Sequence, residues 1–216
     1  TQEKRADGTA ARFFYDAVSN VVGYASSTGR YHKYYPDVEG HIRKEEIYGS
    51  FPPTGPPLET TTYEYNLRGS VTSFSDNTGS TNYTYDSLER LVQQTTNFGA
   101  FSKSHRYSYT PASLLSTYRS PENITHTYSW DSSAQLYSIS IPGEGLIGYS
   151  YAPGTLGEPA SVILPGGVTK SFEYDNFRRL KRLTSKDIAS NVLFDQTYSY
   201  DPVTSQIASI ERGPDI

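Results

Sequence analysis

The sequence predicts an all-β fold: an array of about nine β-hairpin repeats forming a long, twisted antiparallel sheet. Three observations carry this. Pairs of aromatic residues two positions apart, followed by an acidic or small residue, recur along the chain. An aliphatic residue stands five positions after most of these anchors, and no convincing helical periodicity occurs. Residues two apart on a strand share a face, so rings separated by one Ser, Thr or Glu create an aromatic face and a polar one. An Asp/Asn-x-x-Gly segment bonds its own backbone and supplies a turn. Each unit therefore reads strand, turn, strand.

In chain order the anchors are Asp16, Asp37, Asn66, Asp86, Thr110, Asp131, Ala152, Asp175 and Asp201, spaced mostly 20 to 26 residues apart with one interval of 29. The rings before them are Phe13 and Tyr15, Tyr34 with Pro36 in the second slot, Tyr63 and Tyr65, then Tyr83 and Tyr85. They continue as Tyr107 and Tyr109, Tyr128 and Trp130, Tyr149 and Tyr151, Phe172 and Tyr174, and Tyr198 and Tyr200. Val21, Ile42, Val71, Leu91, Leu115, Leu136 and Leu180 each lie five residues past an anchor and belong to the returning strand. A second apolar residue follows in Phe74, Tyr118, Ile139 and Leu183. Isolated hairpins are marginal in water, so the array carries the stability. Two strands per unit at about 4.8 Å spacing would give a strip roughly 85 Å long, and accumulated twist should coil it.

The longest interval has its own cause. Residues 49–62 contain four prolines, which cannot donate to a ladder, and are expected to form an exposed loop within a single repeat segment spanning 1–216. A second irregular stretch is expected from Pro153 to Gly167. Ile42 to Ile47 is the best helix candidate, but it is short and also reads as a charged strand.

The units Tyr83-Thr84-Tyr85-Asp86-Ser87-Leu88-Glu89-Arg90-Leu91 and Phe172-Glu173-Tyr174-Asp175-Asn176-Phe177-Arg178-Arg179-Leu180 resemble the YD repeat, also called the RHS repeat, Tyr-x-Tyr-Asp-x-x-Gly-Arg-Leu. The resemblance extends from Phe13 to about Ile210. It departs from the pattern where Glu89, Ser113, Ala134 and Arg178 replace the glycine. Known members include bacterial polymorphic toxins, insecticidal toxin complexes and teneurins. The resemblance implies a spiral β-shell, secreted or at the cell surface, that encloses a toxin domain. It also implies partners: further repeats of the same parent polypeptide, or other copies, joined through sheet edges. The bacterial shells usually end in an Asp-Pro-x-Gly segment linked to self-cleavage. Asp201-Pro202-Val203-Thr204 lacks that glycine and reads as a repeat, so no protease is assigned.

Composition narrows the remaining classes. Charged residues make up 19% with a net charge of −4, which leaves no basic stripe for nucleic acid. The longest apolar runs, such as Val162-Ile163-Leu164, fall far short of the roughly 20 residues that span a bilayer. The absence of cysteine removes disulfides, thiolate metal sites and cysteine nucleophiles. Methionine is absent even at position 1, and Thr1-Gln2-Glu3-Lys4 does not begin a signal peptide, so a fragment of a longer polypeptide is expected. The chain closes on Gly213-Pro214-Asp215-Ile216, which is read as a shell segment without cargo.

No catalytic residue, cofactor or metal is expected, and each candidate has a structural counterpart. Asp16, Asp37, Asp86, Asp131, Asp175 and Asp201 recur at turns instead of converging on one cleft. His32, His105 and His126 occupy one equivalent slot five residues before their anchors. His105 and His126, in adjacent units, raise a metal or pH-sensing hypothesis against a plain role as polar filler. There is no Gly-x-Ser-x-Gly elbow and no phosphate loop. The alternative function is a glycan- or choline-binding repeat module. Such arrays usually expose tryptophan for stacking, and Trp130 is the sole tryptophan here, in a ring slot.

Overall fold

A computed structural model describes residues 2–4, 10–152 and 157–213. The chain divides into two compact units, Thr1–Arg106 and Tyr107–Ile216. Nineteen strands and no helix occur among the described residues.

In the first unit a short β1 (Gln2–Lys4) pairs with β2 (Ala10–Tyr15). An antiparallel meander follows through β3 (Val21–Ala25), β4 (Tyr31–Pro36), β5 (Ile42–Tyr48), β6 (Glu59–Tyr65), β7 (Val71–Ser75), β8 (Ser80–Tyr85) and β9 (Leu91–Asn97). β10 (Ser102–Tyr109) pairs with β9 through residues 102–106. The second unit continues the pattern in β11 (Leu115–Arg119), β12 (Thr125–Trp130), β13 (Leu136–Ile141), β14 (Gly145–Tyr151) and β15 (Pro159–Ile163). It ends with β16 (Thr169–Tyr174), β17 (Leu180–Lys186), β18 (Val192–Tyr200) and β19 (Ile207–Arg212). Beyond β1, the strands are the two arms of nine hairpins. All seven aliphatic residues picked out five positions after an anchor open a strand.

Two expectations need correction. The proline-rich loop ends sooner than residue 62, because Glu59 to Thr62 pair with β5 as part of β6. Nor is it wholly exposed: Phe51 folds back onto Phe14 and Tyr31, each at 4.9 Å between ring centres. In the stretch from Pro153 to Gly167, residues 153–156 lie outside the described residues and Pro159–Ile163 form β15, leaving only the turn at Pro165-Gly166-Gly167. The segment from Ile42 is a strand, as its charged alternation allows.

The sheet has almost no buried core. Among the described residues Ala11, Ala25 and Tyr31 are the buried hydrophobic side chains, joined by Thr61, Thr81, Ser138 and Ser185. Stability must therefore come from cross-strand pairs. On one face the first ring of each doublet meets its partner on the returning strand: Phe13 faces Tyr24, Tyr63 faces Phe74, Tyr128 faces Ile139 and Phe172 faces Leu183. The other face carries hydroxyl pairs across the strands, including Thr62 with Ser75, Ser108 with Thr117, Ser150 with Ser161 and Ser199 with Ser209.

Candidate functional site

The repeating constellation around the second ring is the site of interest. The pairing register slips by one residue beside that slot in both units. It does so at Phe14/Tyr15, Tyr35/Pro36, Glu64/Tyr65 and Thr84/Tyr85 in the first. In the second it does so at Ser129/Trp130, Ser150/Tyr151, Glu173/Tyr174 and Ser199/Tyr200. Such a bulge interrupts the ladder and sharpens the local twist. A carbonyl beside it then accepts a bond from the next hairpin.

The donor is the second-slot ring. Tyr65 Oη donates to the carbonyl of Ile42 at 2.8 Å, and Tyr85 Oη to Val71 at 2.7 Å. In the second unit Trp130 Nε1 donates to Leu115 at 2.7 Å, Tyr151 to Leu136 at 2.8 Å, Tyr174 to Pro159 at 3.1 Å and Tyr200 to Leu180 at 2.7 Å. Each acceptor belongs to the returning strand of the preceding unit. This explains why the slot takes Tyr or Trp: the ring must cover apolar surface and still end in a donor. Burial holds the phenols of Tyr65, Tyr85, Tyr151 and Tyr174 above their ordinary pKa, so they stay protonated donors.

Pro36 shows what happens without a donor. Beside it Tyr35 lies on the opposite face, where its hydroxyl bonds Glu46 at 2.6 Å. Tyr48 bonds the same carboxylate at 2.7 Å and Lys44 adds a third contact at 2.9 Å. Led by the Tyr35 bond, these contacts hold the Glu46 carboxyl at about 2.

The anchors work as turn caps. Oδ1 of Asp16 accepts the amides of Val18 and Asn20, and Asp37, Asn66, Asp86, Asp131 and Asp175 accept the corresponding pairs. At Thr110 the hydroxyl caps Leu114, and Asp201 caps Val203 and Thr204. These bonds lower the carboxyls: a backbone bond from Asn20 leads at Asp16, the Arg90 side chain at Asp86 and a backbone bond from Thr204 at Asp201. At Asp37 and Asp175 partial burial pushes upward, but bonds from Arg43 and Arg179 and from turn amides outweigh it.

Three residues past the anchor the backbone turns left-handed. Gly40 and Gly69 suit this, whereas Ser19, Glu89, Ser113, Ala134 and Arg178 adopt it at φ between 59° and 71°. Glu89 compensates through Asn66 Nδ2 at 2.9 Å and Ser70 Oγ at 2.8 Å in the preceding turn. Arg178 pairs with Glu158.

His32 Nδ1 lies 2.8 Å from Glu45 Oε1, flanked by Tyr24 and Tyr34. His126 lies edge-on to Tyr118 at 5.4 Å. Among the described residues the cluster with metal-ligand spacing is Asp37, Glu39 and His41, a turn whose Asp37 is already capping amides. The sequence-predicted rings Phe13, Tyr34, Tyr63, Tyr83, Tyr107, Tyr128, Tyr149, Phe172 and Tyr198 lie on strands in the first slot. Tyr15 and Tyr109 fill second slots beside the latches described above. The latch acceptors were missed in the sequence, because backbone carbonyls leave no residue signature.

No family model and no curated protein matches the sequence. Solved structures do match in fold. A chain in the crystal structure of TcdB2-TccC3-Cdc42 superposes on 98% of this chain with TM-score 0.82 and 14% identity. The fold is that of the YD-repeat Tc toxin chains. A chain of the Photorhabdus luminescens Tc holotoxin pore carrying the mutation TccC3-D651A covers the same 98% at TM-score 0.79 and 15% identity. This chain spans about 12% of the length of either one.

Proposed function

We propose that the chain is a non-catalytic stretch of wall in a YD-repeat shell that encloses or scaffolds a toxin or effector domain for delivery outside the producing cell. The observation that supports this is the match of 98% of the chain to a Tc toxin chain at TM-score 0.82. The site supports it. Six second-slot rings are bonded to neighbouring carbonyls, first-slot rings such as Tyr63 and Tyr107 pack on their neighbours, and the anchor carboxylates accept turn amides. Edges are then joined to further repeats of the parent polypeptide.

Limited proteolysis of the polypeptide carrying residues 1–216 tests the proposal. An enclosed domain resists protease until latch donors are replaced, as in Tyr151→Phe with Tyr174→Phe. A domain cleaved at the same rate with intact and weakened latches contradicts enclosure. Saturable glycan binding that is lost on replacing tyrosines would favour the adhesion module instead.

A further inference from the structure

Hairpin joins hairpin in one register. The residue paired with the first ring of one unit lies opposite the residue two positions before the first ring of the next. In the first unit Tyr24 meets His32, Glu45 meets Thr61 and Phe74 meets Thr81. In the second Ile139 meets Ile147, Val162 meets Lys170 and Leu183 meets Gln196. The short β1 keeps the same rule against β2, with Glu3 opposite Ala11. The incoming second ring then completes the junction by donating to the carbonyl of the residue that opens the returning strand.

β19 carries every part of such a junction except the incoming strand. Among the described strands it pairs with β18 alone. Ile210 lies opposite the first ring Tyr198, and Ile207 opens the strand directly after Gln206, whose carbonyl accepts the amide of Asp201. Ile42, Val71 and Leu180 stand in the same place after His41, Ser70 and Arg179, and each accepts a latch. No latch reaches Ile207 among the described residues. Ile207 is 53% exposed and Ile210 50%, whereas their counterparts Val71, Phe74, Leu180 and Leu183 are partly buried. We propose that this edge is the docking site for the leading strand of one further hairpin of the same repeat, supplied by the parent polypeptide. That strand pairs antiparallel and sets its first ring on Ile210, as Tyr83 packs on Phe74 with ring centres 6.3 Å apart. Its second-slot Tyr or Trp donates to the Ile207 carbonyl. The inference rests on the reading of the chain as a stretch of wall and names the strand that the wall takes at this edge. A second copy does not fit the site: its leading strand bears Phe13 and Tyr15, but its β1 already pairs with Ala10, Ala11 and Arg12, which the register requires. A Phe in the second slot would cover the same apolar surface and leave the carbonyl without its donor, so the edge distinguishes Tyr from Phe.

Titration of the 216-residue chain with a synthetic peptide of residues 80–97, followed by amide NMR up to millimolar peptide, tests this. The peptide carries Tyr83, Tyr85 and the returning strand of its own hairpin. The expected result is a saturable set of shifts centred on Ile207–Arg212. A peptide with Tyr85→Phe should bind about fivefold more weakly, the worth of one hydrogen bond. Ile210→Asp in the chain should abolish the shifts while leaving its thermal midpoint within a few degrees of the parent, which separates lost docking from lost folding. No saturable shift, shifts centred elsewhere, or equal binding by the Phe peptide would each overturn the proposal. So would association of the chain with itself that Ile210→Asp removes, since that would give the edge to a second copy. No enclosed domain takes part in the titration, so a failure of protease protection leaves its result standing, and a failed titration leaves enclosure to its own test.

Discussion

In the first unit two of the four anchor turns place glycine in the left-handed position, Gly40 and Gly69, whereas the second unit has Ser113, Ala134 and Arg178 at the corresponding places. The first unit also has a ring cluster with no counterpart described in the second. Phe14, Tyr31, Tyr48 and Phe51 pack together on the face opposite the ladder. On that face the second unit presents serine and threonine pairs. In the second unit Trp130, Tyr151, Tyr174 and Tyr200 all donate to the preceding hairpin, as Tyr65 and Tyr85 do in the first. The lesson is that one repeat can be held in two ways. The first unit adds an apolar ring cluster and two glycine turns, while the second combines ring-to-carbonyl bonds with left-handed Ser, Ala and Arg at its turns.

The largest test of that contrast is Tyr31→Ala. It removes the one ring that is buried among the described residues and should cost about 3 kcal/mol in denaturant unfolding, loosening Phe14 and Phe51 with it. Next come the turns. Gly69→Ala should cost roughly 1–2 kcal/mol, because a β-carbon there is disfavoured by φ 81° and meets His41. Each latch is worth about 1 kcal/mol, so Tyr85→Phe and Tyr151→Phe should lower stability by similar amounts despite lying in different units. A large effect in one and none in the other would break the claim of a shared latch. The smallest effect has the opposite sign: Ala134→Gly should gain about 0.5 kcal/mol, the relief of a left-handed alanine less the entropy of glycine.

The pH dependence follows from the same groups. The turn carboxylates sit below their unfolded value of about 3.9, so their contribution is present above that pH and is lost as pH falls through the folded values. The latch phenols sit above the unfolded value of about 10, so theirs is present below it and is lost as pH rises through the folded values. A thermal midpoint flat between about pH 5 and 9 and falling at both ends is expected. Tyr→Phe latch variants should show a shallower alkaline fall.

Much of the fold was legible because the repeat writes itself in side chains. The rings, the anchor aspartates and Leu91 or Leu180 located nine hairpins and the starts of their returning strands. The turns were legible for the same reason, since Asp and Asn cap amides at fixed offsets. The site was less so. The carbonyls of Ile42, Val71 and Leu136 become acceptors beside a bulge, and a bulge is set by pairing geometry that no single residue encodes. Phe51 looked like part of an exposed loop because prolines surround it, yet its ring finds Tyr31 across 20 residues of sequence. Thirteen residues separate His32 from Glu45, and only the pairing of β4 with β5 brings them together.

The central claim is that rings donated from one hairpin to the next hold the wall together. The direct measurement is thermal unfolding of a chain with the six donors named above replaced by Phe: Tyr65, Tyr85, Trp130, Tyr151, Tyr174 and Tyr200. Six bonds of about 1 kcal/mol each predict a midpoint lowered by about 15 °C. A midpoint unchanged to within about 3 °C would contradict the account, because one lost bond alone should move it that far.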